Sequence, residues 1–226
     1  MQPPGPRVTF AIATWNGERF LREAVESCLT QTYADLEVLV VDDGSTDGTA
    51  ALLDELACAR LRVLRHPSNL GIAAAYDTIV REARGELIAR LGHDDIALPD
   101  RIARQVAIFD RFPDTGVVHG DAVTIDESGR TIGSWRSDEY PRRTLIDLLV
   151  RRLNNLVDPS TMIHRRVYEA VGGYDPAFPM CNDFDLWLRA ARMFRFRHVE
   201  HGPLILYRRH GSNTSDESHR AQELAE

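Results

Sequence analysis

Four short apolar segments alternate with four amphipathic helical segments over the first half of the chain. The apolar segments are predicted strands at residues 8–13, 36–41, 61–65 and 87–91. The predicted helices follow them at residues 18–31, 48–57, 72–84 and 99–112, where apolar side chains recur at helical spacing. Strands and helices that alternate through short links favour an α/β fold with a doubly wound, mainly parallel sheet flanked by helices.

Two pairs of adjacent aspartates lie at the ends of two of these strands. Asp42 and Asp43 follow the second strand, and Asp94 and Asp95 lie just past the fourth. Right-handed crossovers bring the carboxyl ends of parallel strands to one edge, where open α/β sheets bind ligands. An isolated pair is typical of a surface turn, but two pairs at equivalent positions favour one shared cleft. Since neighbouring carboxylates repel each other, a divalent metal and phosphates are the predicted occupants.

The pattern changes near residue 115. We predict a strand at 116–125, a hairpin turn at 126–130 and a second strand at 131–135, followed by a smaller mixture of helices and strands. We therefore expect one domain at residues 7–210 with two halves, 7–115 and 116–210. The remaining segments, 1–6 and 211–226, are predicted tails.

Composition limits the class of protein. The formal net charge is −7, which argues against a general nucleic-acid binder, and all 27 basic residues are arginine. Cys28, Cys58 and Cys181 match neither a zinc spacing nor a disulfide framework, which indicates a reducing compartment. No apolar run approaches the roughly 20 residues that span a bilayer. We expect a cytoplasmic protein, either free or attached peripherally at the inner face of the membrane.

Two interpretations of the acidic residues remain open. In one, a nucleoside diphosphate lies at the strand ends, Asp95 holds Mg²⁺ or Mn²⁺, and Asp183 activates an incoming hydroxyl as a general base. In the other, the carboxylates are solvated helix caps, and Asp183 and Asp185 merely lie on a helix surface. For Asp185 the two interpretations have equal support.

Four other side chains have both a functional and a structural interpretation. Trp15 could stack on a nucleobase or pack beside a strand end. Arg208 could bind phosphate and His210 could approach the metal, or both could belong to an exposed basic turn. Trp187 lies on an amphipathic helix, which favours core packing.

Taken in order, the motifs resemble the family 2 glycosyltransferases, whose nucleotide-sugar-binding fold is called GT-A. The resemblance covers about residues 7–210, and it rests on motifs of both halves: residues 8–16, Val40-Val41-Asp42-Asp43-Gly44-Ser45-Thr46-Asp47, Asn69-Leu70-Gly71, Gly85-Glu86, His93-Asp94-Asp95, Gly172-Gly173-Tyr174-Asp175, residues 182–189 and Tyr207-Arg208-Arg209-His210.

The resemblance implies an inverting transferase. It would move a sugar from a nucleoside-diphosphate donor, with uracil or thymine as the base, to a hydroxyl of a glycan or lipid-linked acceptor. Residues 7–115 would be the nucleotide-sugar half and 116–210 the acceptor half. The implied site comprises Asp183 as the catalytic base; Ala13, Trp15, Asp42, Asp43, Asp94 and Arg208 for the donor; Asp95 and His210 for Mn²⁺ or Mg²⁺; and Asn182, Asp185 and Trp187 on the acceptor side.

The chain departs from the family pattern at three positions. Trp15 stands where Tyr is usual, Gly92 where Asp is frequent, and Asn182 where Glu is usual. The last two departures favour an alternative, a degenerate module that binds a sugar nucleotide without turnover. A nucleotidyltransferase is a second alternative, although the chain has no Gly-rich and basic phosphate loop to support it.

Overall fold

The computed structural model of the chain describes residues 5–151, 156–175, 182–211 and 213, so predictions that fall on Cys181 and on most of both tails lie outside the described residues. The strands, in chain order, are β1 Val8–Thr14, β2 Leu36–Asp42, β3 Leu61–Arg65, β4 Leu87–Leu91, β5 Ile96–Ala97, β6 Thr115–His119, β7 Ala122–Ile125, β8 Thr131–Trp135, β9 Met162–His164, β10 Arg195–His198 and β11 Ile205–Arg208. The helices are α1 Leu21–Leu29, α2 Thr49–Glu55, α3 Ile72–Glu82, α4 Arg101–Arg111, α5 Arg142–Val150, α6 Arg165–Val171 and α7 Asn182–Ala191, with a 3₁₀ turn at Asp158–Ser160. None of the described helices has both the length and the apolar composition to cross a bilayer.

A seven-stranded sheet in the order β10-β6-β9-β4-β1-β2-β3 forms the centre of the fold. Among the described strands of this sheet, β9 alone runs antiparallel to its neighbours. This confirms the predicted α/β class with a mainly parallel sheet. Strands β6, β9 and β10 come from residues 116–210 or overlap that range, so both predicted halves contribute to one sheet.

Helices cover both faces of the central sheet, which explains its uniformly apolar strands. In β1, Val8, Phe10 and Ile12 pack with α1 and α4 on one face, while Ala11 and Ala13 pack with α3 on the other. Side chains of a strand alternate between the two faces. Every residue of β1 and β2 is therefore buried.

The parallel register brings the strand ends together at one edge. Thr14 of β1 pairs with Asp42 of β2, and Ile12 of β1 pairs with Leu91 of β4. The backbone N–H of Asp43 donates to the carbonyl oxygen of Thr14. Both aspartate pairs thus follow strands that end at the same edge, as predicted.

The segment predicted as one strand at 116–125 forms two strands in different sheets, and that prediction was wrong. Strand β6 belongs to the central sheet, whereas β7 joins a four-stranded sheet in the order β5-β11-β7-β8. The chain crosses between them at Gly120, where an added Cβ would lie 2.6 Å from a Leu204 side-chain atom. A larger residue at this position would therefore require Leu204 to move.

Strand β5 was not predicted. It consists of two residues, Ile96 and Ala97, and its antiparallel pairing with Leu206 and Ile205 of β11 defines it. Such a short strand has no periodicity of its own, and its partner lies more than a hundred residues away. The pairing places the end of β11 beside the second aspartate pair.

Candidate active site

The first aspartate pair organises the loops around the end of β2. Asp43 is 3% exposed. One of its carboxylate oxygens, Oδ1, accepts the backbone N–H of Leu70 at 3.0 Å and lies 2.6 Å from His66 Nδ1, while Oδ2 accepts the N–H of Gly71 at 2.8 Å. Asp42, also buried, accepts the N–H of Ser45 at 3.0 Å. These two carboxylates fix the loops that begin at Gly44 and His66.

The loop after β1 adds an exposed aromatic side chain to this region. Trp15 is 50% exposed. Asn16 adopts a left-handed backbone conformation with φ of 51°, and its Oδ1 accepts the N–H of Thr46 at 2.9 Å. This bond ties the loop of Trp15 to the loop of Asp42 and leaves the indole accessible. Ala13 lies in the core with 5% exposure, so its methyl group does not face a donor.

The two carboxylates of the second pair have different surroundings. Asp95 is 1% exposed, and its Oδ1 accepts the backbone N–H of Arg208 at 2.9 Å. Burial raises the pKa of Asp95 well above its ordinary value, and the neighbouring charge of Asp94 raises it further, against the bond from Arg208. Asp95 therefore anchors β11 from inside the protein through this bond.

Asp94 carries the charge of the pair. Its Oδ2 lies 2.8 Å from His210 Nε2 and accepts Asn213 Nδ2 at 3.0 Å. Burial would raise the pKa of Asp94, but the His210 hydrogen bond and the nearby charges of His93 and His210 hold it below its ordinary value. Asn213 lies in the segment predicted as a tail, yet it is 5% exposed.

Asp95 is the more buried carboxylate of the pair, and its Oδ1 holds the N–H of Arg208, whereas Asp94 contacts the imidazole of His210. The assignment of a divalent metal to Asp95 and His210 stays a prediction, and Asp94 is a further candidate ligand. An ionised carboxylate beside an imidazole suits Mn²⁺ or Mg²⁺, which commonly take one or two protein ligands and complete their shell with phosphate oxygens and water. Among the described residues, no three His, Cys, Asp or Glu side chains form a complete metal site, so the remaining ligands would come from the donor and solvent.

Arg208 fastens this site and has little freedom to bind phosphate, contrary to the predicted donor role. It is 2% exposed. Its Nε donates to the carbonyl oxygen of Asp94 at 2.9 Å, its Nη2 donates to Glu23 at 2.6 Å, and its Nη1 donates to the carbonyl oxygens of Asp126 and Glu127. The guanidinium thus connects β11, α1 and the β7–β8 turn.

Asp183, the predicted base, is the second residue of α7 and is partly buried. A carboxylate in the first turn of a helix is stabilised in its charged form by the helix dipole. Its charge contributes to the raised pKa of Asp158, on the 3₁₀ turn before β9, and of Tyr76 in α3.

The three predicted acceptor-side residues have mainly structural contacts. Asp185 pairs with Arg189 at 2.5 Å, and Arg189 also donates to the carbonyl oxygens of Val171 and Gly173. Asn182 is 6% exposed. Trp187 is fully buried, with its ring against Phe196 at a centroid distance of 5.8 Å. Trp187 therefore cannot contact an acceptor, and the packing interpretation of its helical spacing is the right one.

Sequence reasoning missed three residues that hold the site together. Glu23 pairs with Arg208, and Arg90 pairs with Asp158 at 2.7 Å. Only Arg90 is unusual in the sequence, because it is a charged residue inside an otherwise apolar strand. Glu23 lies on a helix surface and Asp158 in a turn, where acidic residues are common.

Comparison with known proteins identifies the family of the chain. The profile of Glycosyl transferase family 2 matches residues 9–172, and the chain belongs to this family. An uncharacterized glycosyltransferase of Rickettsia felis is 30% identical over 213 residues, which cover 93% of this chain and 35% of the relative. The chain spans between 29% and 66% of the length of the first curated relatives that it matches.

Solved structures share the fold. S. aureus TarS 1–349 in complex with UDP-GlcNAc superposes with a TM-score of 0.77 at 17% identity, covering 92% of this chain and 60% of that chain. The mannosyltransferase PcManGT of Pyrobaculum calidifontis, in complex with GDP-Man and Mn²⁺, superposes with a TM-score of 0.70 at 22% identity, covering 98% and 64%. The chain therefore has the GT-A fold that the motifs predicted.

Proposed function

We propose that this chain transfers a sugar from a nucleoside-diphosphate donor to a hydroxyl of a glycan or lipid-linked acceptor, with inversion at the anomeric carbon. The observation that carries the proposal is the contact between Asp94 and His210 at the carboxyl end of β4. Family membership and the sugar nucleotides held by TarS and PcManGT support a donor of this class.

The nucleotide would bind over the loops after β1 and β2. Trp15 offers an exposed ring for stacking, and Asp43 holds the backbone of Leu70 and Gly71 in place beside it. Stacking on an aromatic ring tolerates any base, so specificity would come from polar groups of the two loops. We propose UDP or dTDP as the nucleotide.

Asp94 and His210 would hold Mn²⁺ or Mg²⁺ on the diphosphate. When bound, the metal supplies a positive charge that stabilises the departing diphosphate. The protein holds the pair in position through Arg208 and Asn213, which both bond to Asp94. The Mn²⁺ in PcManGT supports this choice of ion.

Asp183 would act on the acceptor. Its carboxylate would take the proton of the acceptor hydroxyl while that oxygen bonds to the anomeric carbon and the bond from that carbon to the diphosphate breaks. A single displacement of this kind inverts the anomeric configuration.

Calorimetry with UDP, dTDP, GDP and CDP, each with and without Mn²⁺, tests the donor site. We expect UDP or dTDP to bind in a metal-dependent manner in the unmodified protein and in the control variant Asp100→Asn, whose side chain is exposed and 3.8 Å from Arg104. The variant Asp94→Asn should lose the metal dependence. Failure of all four nucleotides to bind would overturn the proposal, and donor binding without transfer to any acceptor would favour the degenerate binding module.

A further inference from the structure

A histidine and an aspartate form a largely buried pair beside the proposed nucleotide loops. His66 directly follows β3, and its Nδ1 lies 2.6 Å from Oδ1 of Asp43. The two side chains are only 12% and 5% exposed. Because a carboxylate only accepts hydrogen bonds, the Nδ1–H group of His66 is the donor. The position of the Asp43 carboxylate is thus fixed from the end of β3.

The other ring nitrogen of His66 is held as well. Nε2 lies 3.0 Å from Oγ1 of Thr78, a buried residue of α3. The backbone N–H of His66 donates to the carbonyl oxygen of Asp42 at 2.9 Å. An imidazole that is bonded at both nitrogens is fixed in its orientation. His66 therefore joins β2, β3 and α3 at the point where the loops begin.

Asp43 connects His66 to the loop that precedes α3. Its Oδ1 accepts the backbone N–H of Leu70 at 3.0 Å, and its Oδ2 accepts that of Gly71 at 2.8 Å. Gly71 has a φ of 91°, a backbone conformation that favours glycine. The carboxylate that His66 orients is thus the group that holds the backbone of residues 70 and 71.

The loop held in this way presents apolar side chains to solvent. Leu70 is 56% exposed and Ile72 is 41% exposed. The loop touches the one that follows β2, since a Cβ added at Gly44 would lie 2.3 Å from the backbone of Ser68. Trp15, on the loop after β1, is also half exposed. Apolar side chains that are exposed together are typical of a binding surface, and a nucleobase has a flat face that they can cover.

We propose that His66 is a positioning residue for nucleotide binding, which holds Leu70 through Asp43 so that the leucine packs against the nucleobase. The inference rests on the proposed function, because it requires the nucleotide to bind over these loops. His66 does not itself touch the donor, since its ring nitrogens contact Asp43 and Thr78. It acts through the backbone of residues 70 and 71.

Two amide substitutions separate the two contacts of the imidazole. His66→Asn places an amide nitrogen near the position of Nδ1, so it can still donate to Asp43. His66→Gln places its amide near the position of Nε2, so it keeps the contact with Thr78 and loses the bond to Asp43. In calorimetry with UDP and dTDP in the presence of Mn²⁺, we expect affinity to fall by about ten-fold in His66→Gln and by less than about three-fold in His66→Asn. Equal affinities of the two variants, or weaker binding by His66→Asn, would overturn the inference.

His198→Asn is the matched control. The side chain of His198 is 13% exposed and its Nε2 lies 3.0 Å from Oδ1 of Asp121, so it forms a similar pair that asparagine cannot reproduce. His198 belongs to β10, at the opposite edge of the central sheet from β3. Its replacement should lower stability, measured by urea unfolding, without weakening nucleotide binding. A loss of affinity equal to that of His66→Gln would assign the effect to general destabilisation and would contradict the inference.

Hydrogen exchange of the Leu70 and Gly71 amides, measured without nucleotide, tests the connection itself. Both N–H groups are bonded to Asp43, so they should exchange more slowly than an amide that faces water. Their exchange should become about ten-fold faster in His66→Gln and stay close to that of the parent in His66→Asn. Unchanged protection in His66→Gln would show that Asp43 holds the loop without His66.

Leu70→Ala covers the case in which His66→Gln does not fold. Leu70 is exposed, so its truncation should leave the fold intact, and the lost apolar contact should weaken nucleotide binding by about five-fold. Ile132→Ala is the control, since Ile132 is 52% exposed but lies on β8 of the four-stranded sheet. Unchanged nucleotide affinity in Leu70→Ala would refute the contact through which His66 is proposed to act.

These outcomes distinguish the inference from the proposed function. If the parent protein binds none of the four nucleotides with Mn²⁺, the proposed function fails whatever the effect of His66 on the loop. If the parent binds UDP or dTDP and His66→Gln binds it equally well, the donor site stands and the role of His66 is refuted.

Discussion

His210 Nε2 and Asp94 Oδ2 lie 2.8 Å apart, although 116 residues separate them along the chain. Strand β11 creates this contact because its pairing with β5 places the N–H of Arg208 on Asp95. His210 follows two residues later and reaches the adjacent carboxylate. The four-stranded sheet therefore brings His210, which follows β11, to Asp94, which follows β4 of the central sheet.

The two adjacent aspartates should respond differently to the same substitution. Asp94→Asn removes the charged ligand, so we expect Mn²⁺-dependent donor binding to weaken by about 100-fold. Asp95→Asn should leave donor binding intact, because Asp95 is buried and the amide oxygen can still accept the N–H of Arg208. Calorimetry on both variants measures donor affinity with Mn²⁺. A larger loss of affinity in Asp95→Asn than in Asp94→Asn would identify Asp95 as the metal ligand.

Arg208→Lys should lower the free energy of unfolding by about 1–3 kcal/mol, because a lysine cannot reach the acceptors that the guanidinium joins. Urea unfolding measures the change. Arg19→Lys is the control, since Arg19 is exposed, pairs with Glu127 at the surface, and should change stability by less than about 0.5 kcal/mol. Equal effects of the two substitutions would show that the buried contacts of Arg208 carry no special weight.

Substitutions of Trp15 and Trp187 should separate stability from binding. Trp187→Ala creates a cavity in the core and should cost about 3–5 kcal/mol of folding stability. Trp15→Ala removes an exposed ring and should leave stability nearly unchanged, while donor binding weakens by about 1–3 kcal/mol through lost stacking. Thermal unfolding and donor calorimetry on the pair check both statements. A stable Trp15→Ala protein with unchanged donor affinity would exclude stacking.

His119 should make the protein less stable in acid. Burial and the charge of His198 together lower its pKa to about 3, against the opposing charge of Asp121. The unfolded chain therefore binds a proton that the folded protein does not, between the ordinary value of 6.5 and about 3. Stability should fall as pH drops through this interval, by up to about 1.4 kcal/mol per unit from this group.

The variant His119→Asn tests this slope, since its side chain can still bond to Ser137, whose Oγ lies 2.9 Å from His119 Nδ1. Stability measured by urea unfolding should decline less steeply with acid in the variant than in the parent. His201, which is 91% exposed, provides the control in His201→Asn. An unchanged slope in His119→Asn would show that the histidine is not buried in its neutral form.

The sequence predicts the central sheet well because local apolar periodicity and burial agree along β1 to β4. It also places both aspartate pairs at the strand ends, because parallel strands share a direction. It could not decide which carboxylate of Asp94 and Asp95 faces the cleft. That choice depends on β11, a strand from the far end of the chain, and on the turn at Gly92, where an added Cβ would lie 2.6 Å from Asp95 Oδ2.

Other failures have the same physical origin. The split of residues 116–125 between two sheets follows from the pairing of β7 with β11, and Arg208 is held by carbonyl oxygens of the β7–β8 turn. The partnership of Arg90 with Asp158 joins residues 68 positions apart. Each of these depends on tertiary contacts that local patterns do not encode.

The position of β11 also has a consequence for biosynthesis. During translation, β1 to β4 leave the ribosome long before β11, and their parallel pairings involve only residues 8–91. A nascent chain could thus form the nucleotide-facing part of the sheet while Asp94 still lacks His210 and Asn213. Metal binding at the proposed site would then require residues 205–213 to have emerged, so the site would be completed after the sheet edge on which it lies.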